Sequence, residues 1–180
     1  PPRRAKLTSG LVVRVQGVQV GFLARSYPVG GVATAAISTD APRVRLQLFS
    51  FANVATPSVR DLRTGGVAVS PSVQLDWGQH GSTTHYVQIS PAGIQTGLYF
   101  LRVTASDGRV GYAPLILHPK TLGEHKVAVV LSTNTWQAYN FLDANGDGWG
   151  DSWYVGGASP TVDLSRPFLD FGVPFRFHDW

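Results

Sequence analysis

Short runs rich in β-branched and aromatic residues recur along the chain as far as Leu117, cut apart by glycine and proline, with no helical period joining them. They are Leu11 to Val15, Val18 to Phe22, Val32 to Ser38, Val44 to Phe51, Val67 to Val69, Thr83 to Ile89, Leu98 to Ala105 and Val110 to Leu117. In one of them Val44, Leu46 and Leu48 alternate with Arg45 and Gln47, the period of a strand with one wet face. In another, His85, Val87 and Ile89 share a face while Thr84, Tyr86 and Gln88 share the other. Such spacing predicts a mainly β chain whose strands form an antiparallel sandwich. Tyr27-Pro28-Val29-Gly30-Gly31 reads as a turn, and Ala105-Ser106-Asp107-Gly108 as a hairpin turn. Pro114, which has no N–H to donate, is expected at a bulge or on an edge strand.

The pattern changes after a polar stretch from His118 to His125. Val127 to Leu131 is continuously apolar, which suits a strand covered on both faces in a parallel α/β sheet. In such sheets ligands sit beyond the carboxyl ends of the strands, here Ser132 to Asn140. No helix able to cover that strand is evident downstream. The expected organisation is therefore a leader over 1–10, a β-sandwich over 11–118, a linker over 119–125, and the first strand and loops of an incomplete α/β domain over 126–180. The remainder of that domain is expected from chain beyond Trp180.

Within the last segment Asp143, Asn145, Asp147, Trp149 and Asp151 stand at alternate positions, with Gly148 after Asp147. This is the spacing in which side-chain oxygens and one backbone carbonyl, here that of Trp149, converge on a hard cation, with glycine at the sharp turn. Tyr154 stands where a helix-loop-helix site has its bidentate glutamate, so the loop over 143–154 is not an ordinary EF-hand and needs a further ligand or water. The plainer reading is a turn, since Asn-Gly and Asp-Gly are common turn dipeptides. Three aspartates in so short a loop repel one another without a counter-ion, and a structural calcium is expected there.

Composition narrows the alternatives. The net charge of +4 comes from 12 Arg and 3 Lys scattered along the chain, and nucleic-acid binding, which needs a concentrated basic face, is not expected. No run approaches the length of a membrane span. There is no cysteine, hence no disulfide or thiolate chemistry, and no methionine, so Pro1 is not expected to be the start of a gene product. A calcium loop of this kind works best at millimolar calcium, which points to an extracellular or periplasmic location. Zinc at His80 and His85 is not expected, and no nucleophile elbow surrounds Ser132.

Thr135-Trp136-Gln137-Ala138-Tyr139-Asn140, with Leu164-Ser165-Arg166-Pro167-Phe168 after it, resembles the large (β) subunit family of N,N-dimethylformamidase. Upstream, Thr96-Gly97-Leu98-Tyr99-Phe100-Leu101-Arg102, Gly111-Tyr112-Ala113-Pro114 and Tyr27-Pro28-Val29-Gly30 look like parts of the same family's sandwich. The resemblance implies the N-terminal part of that subunit: an immunoglobulin-like sandwich followed by the start of an amidotransferase-like α/β domain. It also implies amide hydrolysis by a mononuclear iron held by tyrosines and a glutamate. Tyr139 is the one candidate iron ligand here, with a buried structural tyrosine as the plainer reading. The chain's single glutamate, Glu124, lies in the linker, and the acidic loop reads as an insertion in the family pattern.

The expected function is that of a fragment of an exported amide hydrolase, not catalytic alone. A small subunit or further copies of the chain are its expected partners. The alternative is a non-catalytic extracellular β-sandwich module, stabilised by calcium, that binds carbohydrate or protein or assembles.

Overall fold

Alternation along the strand Arg43–Ser50 does what the sequence predicts, burying Val44, Leu46 and Leu48 while Arg43 and Arg45 stay exposed. In the computed structural model the described residues are 17–50, 66–121, 123–140, 142, 151, 153, 161 and 163–167, with Tyr139 described through its backbone. Within them the strands are β1 (Gln19–Phe22), β2 (Tyr27–Pro28), β3 (Ala33–Ser38), β4 (Arg43–Ser50), β5 (Val67–Ala68), β6 (Val73–Asp76), β7 (His85–Ile89), β8 (Gly97–Ala105) and β9 (Val110–His118). One helix, α1 (Thr133–Tyr139), follows. The expected strand Leu11 to Val15 lies outside the described residues.

The chain is mainly β, and its strands form two layers. The smaller sheet has the order β1-β3-β7, the larger β2-β9-β8-β4-β5, with β6 also pairing β4. Every pairing is antiparallel except β2 with β9. Between the layers Val20, Ala33, Ala35 and Ile37 of the smaller sheet meet Leu46, Leu48, Leu101, Val103, Leu115 and Leu117 of the larger, with Trp77 completing the core. Each large aliphatic side chain buried there contributes roughly 1.5–3 kcal/mol relative to leaving it in water.

β8 and β9 form the predicted hairpin. Gly108 adopts φ +88°, which glycine tolerates without strain, and the Ala105 N–H donates to the Arg109 carbonyl at 2.8 Å. Pro114 lies opposite Phe100, and β9 meets β2 only at Leu117 and His118. At Pro114 the strand is thus an edge among the described residues, as a missing N–H requires. A Cβ on Gly111 would overlap the Val18 carbonyl oxygen, so glycine there lets the chain entering β1 lie against β9.

Two short strands are additions to the expected set. Tyr27-Pro28 is a strand and not only a turn, because it pairs with the end of β9, where the Val29 N–H donates to the His118 carbonyl at 2.9 Å, and the Tyr27 hydroxyl accepts from the N–H groups of Ala24 at 3.0 Å and Thr34 at 3.3 Å. β6 escapes notice because it is four residues long and largely exposed, Val73 at 52%.

Past the sandwich the outcome differs from expectation. Val127 to Leu131 is in neither strand nor helix, and Val127, Val129 and Val130 are 77%, 78% and 95% exposed. An apolar run becomes a buried parallel strand only when neighbours pair with it, and none does so among the described residues. Ser132 to Asn140, expected as the stretch beyond a strand's carboxyl end, holds α1. The segment does not stand apart from the sandwich either: Trp136 is 1% exposed and packs with Phe49, Phe100 and Tyr112 on the outer face of the larger sheet, with Leu131 alongside.

Candidate functional site

The densest polar arrangement among the described residues lies at the C-terminal end of α1. Seven residues are too few for a helix to stand unaided in water, and its N-cap Ser132 makes no side-chain capping bond. Tertiary contacts hold it instead. Trp136 anchors one side to the sheet, while Gln137, Asn140 and Arg166, all nine-tenths or more buried, lock the other.

Arg166 organises that lock. One guanidinium nitrogen, Nη2, donates to the carbonyls of Gln137 at 2.7 Å and Asn140 at 2.8 Å. The other, Nη1, donates to the carbonyls of Asp151 at 3.0 Å and Leu142 at 3.5 Å. Two of these carbonyls, those of Gln137 and Asn140, lie at the helix C-terminus, where a cation is favoured both as a donor and by the helix dipole. In return the Gln137 amide donates to the Arg166 carbonyl at 2.8 Å. The Asn140 amide donates to Gln137 Oε1 at 3.0 Å and to the Pro167 carbonyl at 2.8 Å. Burial lowers the pKa of Arg166, with the charges of Asp151 and Asp163 acting against that shift. Pro167 sits close over β1, where a Cβ on Gly21 would come within 2.8 Å of its Cα.

The same arginine gathers the ends of the acidic loop. Asp151, half-buried, donates its N–H to the Leu142 carbonyl at 3.1 Å, and Trp153 donates to the Ala138 carbonyl at 2.7 Å. Leu142 and Asp151 thus meet, both carbonyls on Arg166. Of the expected calcium ligands, Asp143, Asn145, Asp147 and Trp149 lie outside the described residues. The Tyr139 side chain lies outside them too, and its backbone closes α1. Among the described residues no three His, Cys, Asp or Glu side chains come together, and Glu124 is exposed. An iron at Tyr139 would therefore need ligands from beyond the described residues.

Elsewhere His80 and His85 are brought together, with ring centroids 3.6 Å apart, against the edge of buried Trp77. His118 and His125 are exposed, as is Ser132. The residue that inspection of the sequence missed is Arg166. Its signal was available, since an arginine next to a proline inside a motif that carries the family resemblance needs a structural reason.

The arrangement at α1 spans two of the motifs noted in the sequence, and comparison with known families decides what it belongs to. The family model described as N,N-dimethylformamidase beta subunit-like, C-terminal, matches residues 65–180. The chain belongs to this family. That description corrects the expected placement, because the matched region of the N,N-dimethylformamidase beta subunit-like family is its C-terminal one and not the N-terminal part. The match runs from just before β5 through the end of the sandwich, α1 and Arg166. No curated protein sequence matches this family member. Among solved structures, a cycloisomaltooligosaccharide glucanotransferase from Paenibacillus sp., in complex with cycloisomaltoheptaose, is 12% identical over 69% of the chain and 17% of its own length, with a TM-score of 0.33. The CARDB domain of a Pyrococcus furiosus protein, in complex with di-metal ions, is 10% identical over 64% of the chain and all of its own, with a TM-score of 0.31.

Proposed function

We propose that the chain serves an amide hydrolase of the N,N-dimethylformamidase type as the β-rich part that seats α1, and that it does not catalyse alone. The family match over residues 65–180 carries this reading. The geometry supports it: α1 ends at Tyr139 and is held from both sides, by Trp136 on the sheet and by the carbonyl bonds of Arg166, which is how a side chain at the helix end would be kept in one place. A bound iron would polarise the amide carbonyl and make a bound water more acidic. Tyr139 would supply one ligand, the rest of the enzyme the others. The partners of this reading are further chain beyond Trp180, a small subunit or other copies of the chain.

The test is hydrolysis of N,N-dimethylformamide by the complete enzyme loaded with iron. Tyr139→Phe should lower kcat by roughly a hundredfold or more and remove the visible absorption of a phenolate on ferric iron, with the melting temperature kept. Full activity with that absorption intact would exclude Tyr139 as a ligand.

The acidic loop is proposed to hold a structural calcium, through Asp143, Asn145, Asp147, the Trp149 carbonyl and Asp151, in an extracellular or periplasmic setting. In its favour, the two ends of the loop are already joined at Leu142 and Asp151, so little chain entropy is lost on closing it around an ion. Calcium should raise the melting temperature relative to chelator, and Asp147→Ala should abolish the difference. Identical melts with and without calcium would remove the ion from the account.

The second reading, a non-catalytic extracellular calcium-stabilised sandwich module for carbohydrate or protein binding or assembly, is favoured by one observation. The groups gathered around α1 and described in full are amides, carbonyls and a buried cation, which hold and do not react. An inactive complete enzyme, tested as above, would leave this reading.

A further inference from the structure

The outer face of the larger sheet is divided. At one end Phe49, Phe100 and Tyr112 are covered by Trp136; at the other the face turns polar and stays open. Arg43 and Arg45, two apart on β4, project from that open end, about 7 Å apart along the strand. Gln74 of β6 and Thr104 of β8 stand directly opposite Arg45 on either side. With Ser106 and the strand backbone they line a trough of about 320 Å³. A third guanidinium, that of Arg102, lies 3.8 Å over the Phe49 ring between the two halves, and the positive charge of Arg45 is among the influences lowering its pKa, after burial.

Sheets seldom leave like charges so close without a counter-ion. Of the nearby carboxylates, Asp40 and Asp107 both pair with Arg109, while Asp76, directly across from Arg43, accepts the Gly78 N–H at 3.2 Å through one oxygen and forms no ion pair among the described residues. Among the described residues Arg43 and Arg45 have no ion pair.

We infer that this trough is a binding site for a tetrahedral oxyanion, phosphate or sulfate, carried free or on a small molecule, held between the guanidinium groups of Arg43 and Arg45 with Thr104 and Gln74 as neutral donors. Guanidinium forks match the oxygens of such an anion, and neutral donors on either side of Arg45 distinguish a site from diffuse surface charge. A neutral amide substrate would gain nothing here, so the trough is separate from the proposed chemistry at Tyr139 and does not depend on it.

The test is titration of the protein with inorganic phosphate and, separately, inorganic sulfate, at ionic strength held constant with chloride, followed by calorimetry and by the melting temperature. Saturable binding is expected, weakened about tenfold or more by Arg43→Ala or Arg45→Ala and lost in the double variant, while Arg25→Ala, on an exposed loop, binds as the parent does. The two variants are at exposed positions, and unchanged melts without anion would show that they fold. Saturation by one anion alone assigns the class of group the site takes; saturation by both assigns a general oxyanion site. Failure of both anions to saturate overturns the inference, as does an equal loss in Arg25→Ala, which would mean that only net charge is felt.

Discussion

Arg166 shows how one buried cation can be held by carbonyls, without a direct ion pair among the described residues. Four backbone carbonyls take its guanidinium, and two of them belong to the C-terminal end of α1. The cost of desolvating the charge is offset by charge-assisted bonds, the two to α1 being the shortest. Removing the side chain would take a charged donor from all four carbonyls, of which those of Gln137 and Leu142 keep only the N–H groups of Asn140 and Asp151. Arg166→Met is expected to destabilise the protein by about 3–5 kcal/mol, read from denaturant melts, and to loosen the junction of Leu142 with Asp151, read as faster amide exchange at Asp151. A loss under about 1 kcal/mol would mean that water replaces the guanidinium without penalty.

At the scale of elements, what could be read from the chain depended on whether a partner was needed to fix the outcome. β4, β8 and β9 were legible because alternation and the Asp107-Gly108 turn specify them locally. β6 was not, since four mostly exposed residues become a strand only by pairing with β4. The run from Val127 to Leu131 misled for the converse reason: its composition suits a strand, and nothing described pairs with it. α1 was hidden because Thr133-Asn134-Thr135 are poor helix formers, and the docking of Trp136 and the Arg166 lock override that preference. The hairpin between β8 and β9 carries its own check. Arg109 donates through Nε to the Asp107 carboxylate at 2.7 Å, which lowers that group's pKa. A depressed carboxylate contributes stability above the ordinary aspartate value of about 3.9, and that contribution is lost as pH falls through the folded-state pKa. The pair is solvent-exposed, so Asp107→Asn should cost under about 1 kcal/mol at neutral pH and nothing once both forms are uncharged, seen by comparing melts of the two proteins down to acid pH.

For the whole molecule, the outer face of the larger sheet joins the parts of the chain before and after the linker. Phe49, Phe100 and Tyr112 are buried in part because Trp136 lies over them. A chain cut after His118 would therefore expose an aromatic patch that the full chain covers. Such a truncation is expected to bind a hydrophobic dye and to associate with itself, as read by fluorescence and light scattering, while Trp136→Ala in the full chain should cost about 3–5 kcal/mol. A truncated sandwich that stays monomeric and dye-free would show that the aromatic face needs no cover. Family and sandwich were legible from short motifs and strand spacing, whereas the division of one sheet face into a covered aromatic half and an open arginine half was not. It depends on register across β6, β4 and β8, which no single segment encodes.

The meeting of Leu142 with Asp151 has a consequence for how such a chain can change over generations. Two points that already touch form a neck, and whatever hangs from a neck can be lengthened, shortened or exchanged without disturbing the body that carries it. Relatives sharing α1 and Arg166 are then expected to differ most in length between these two positions, while the helix below stays where it is.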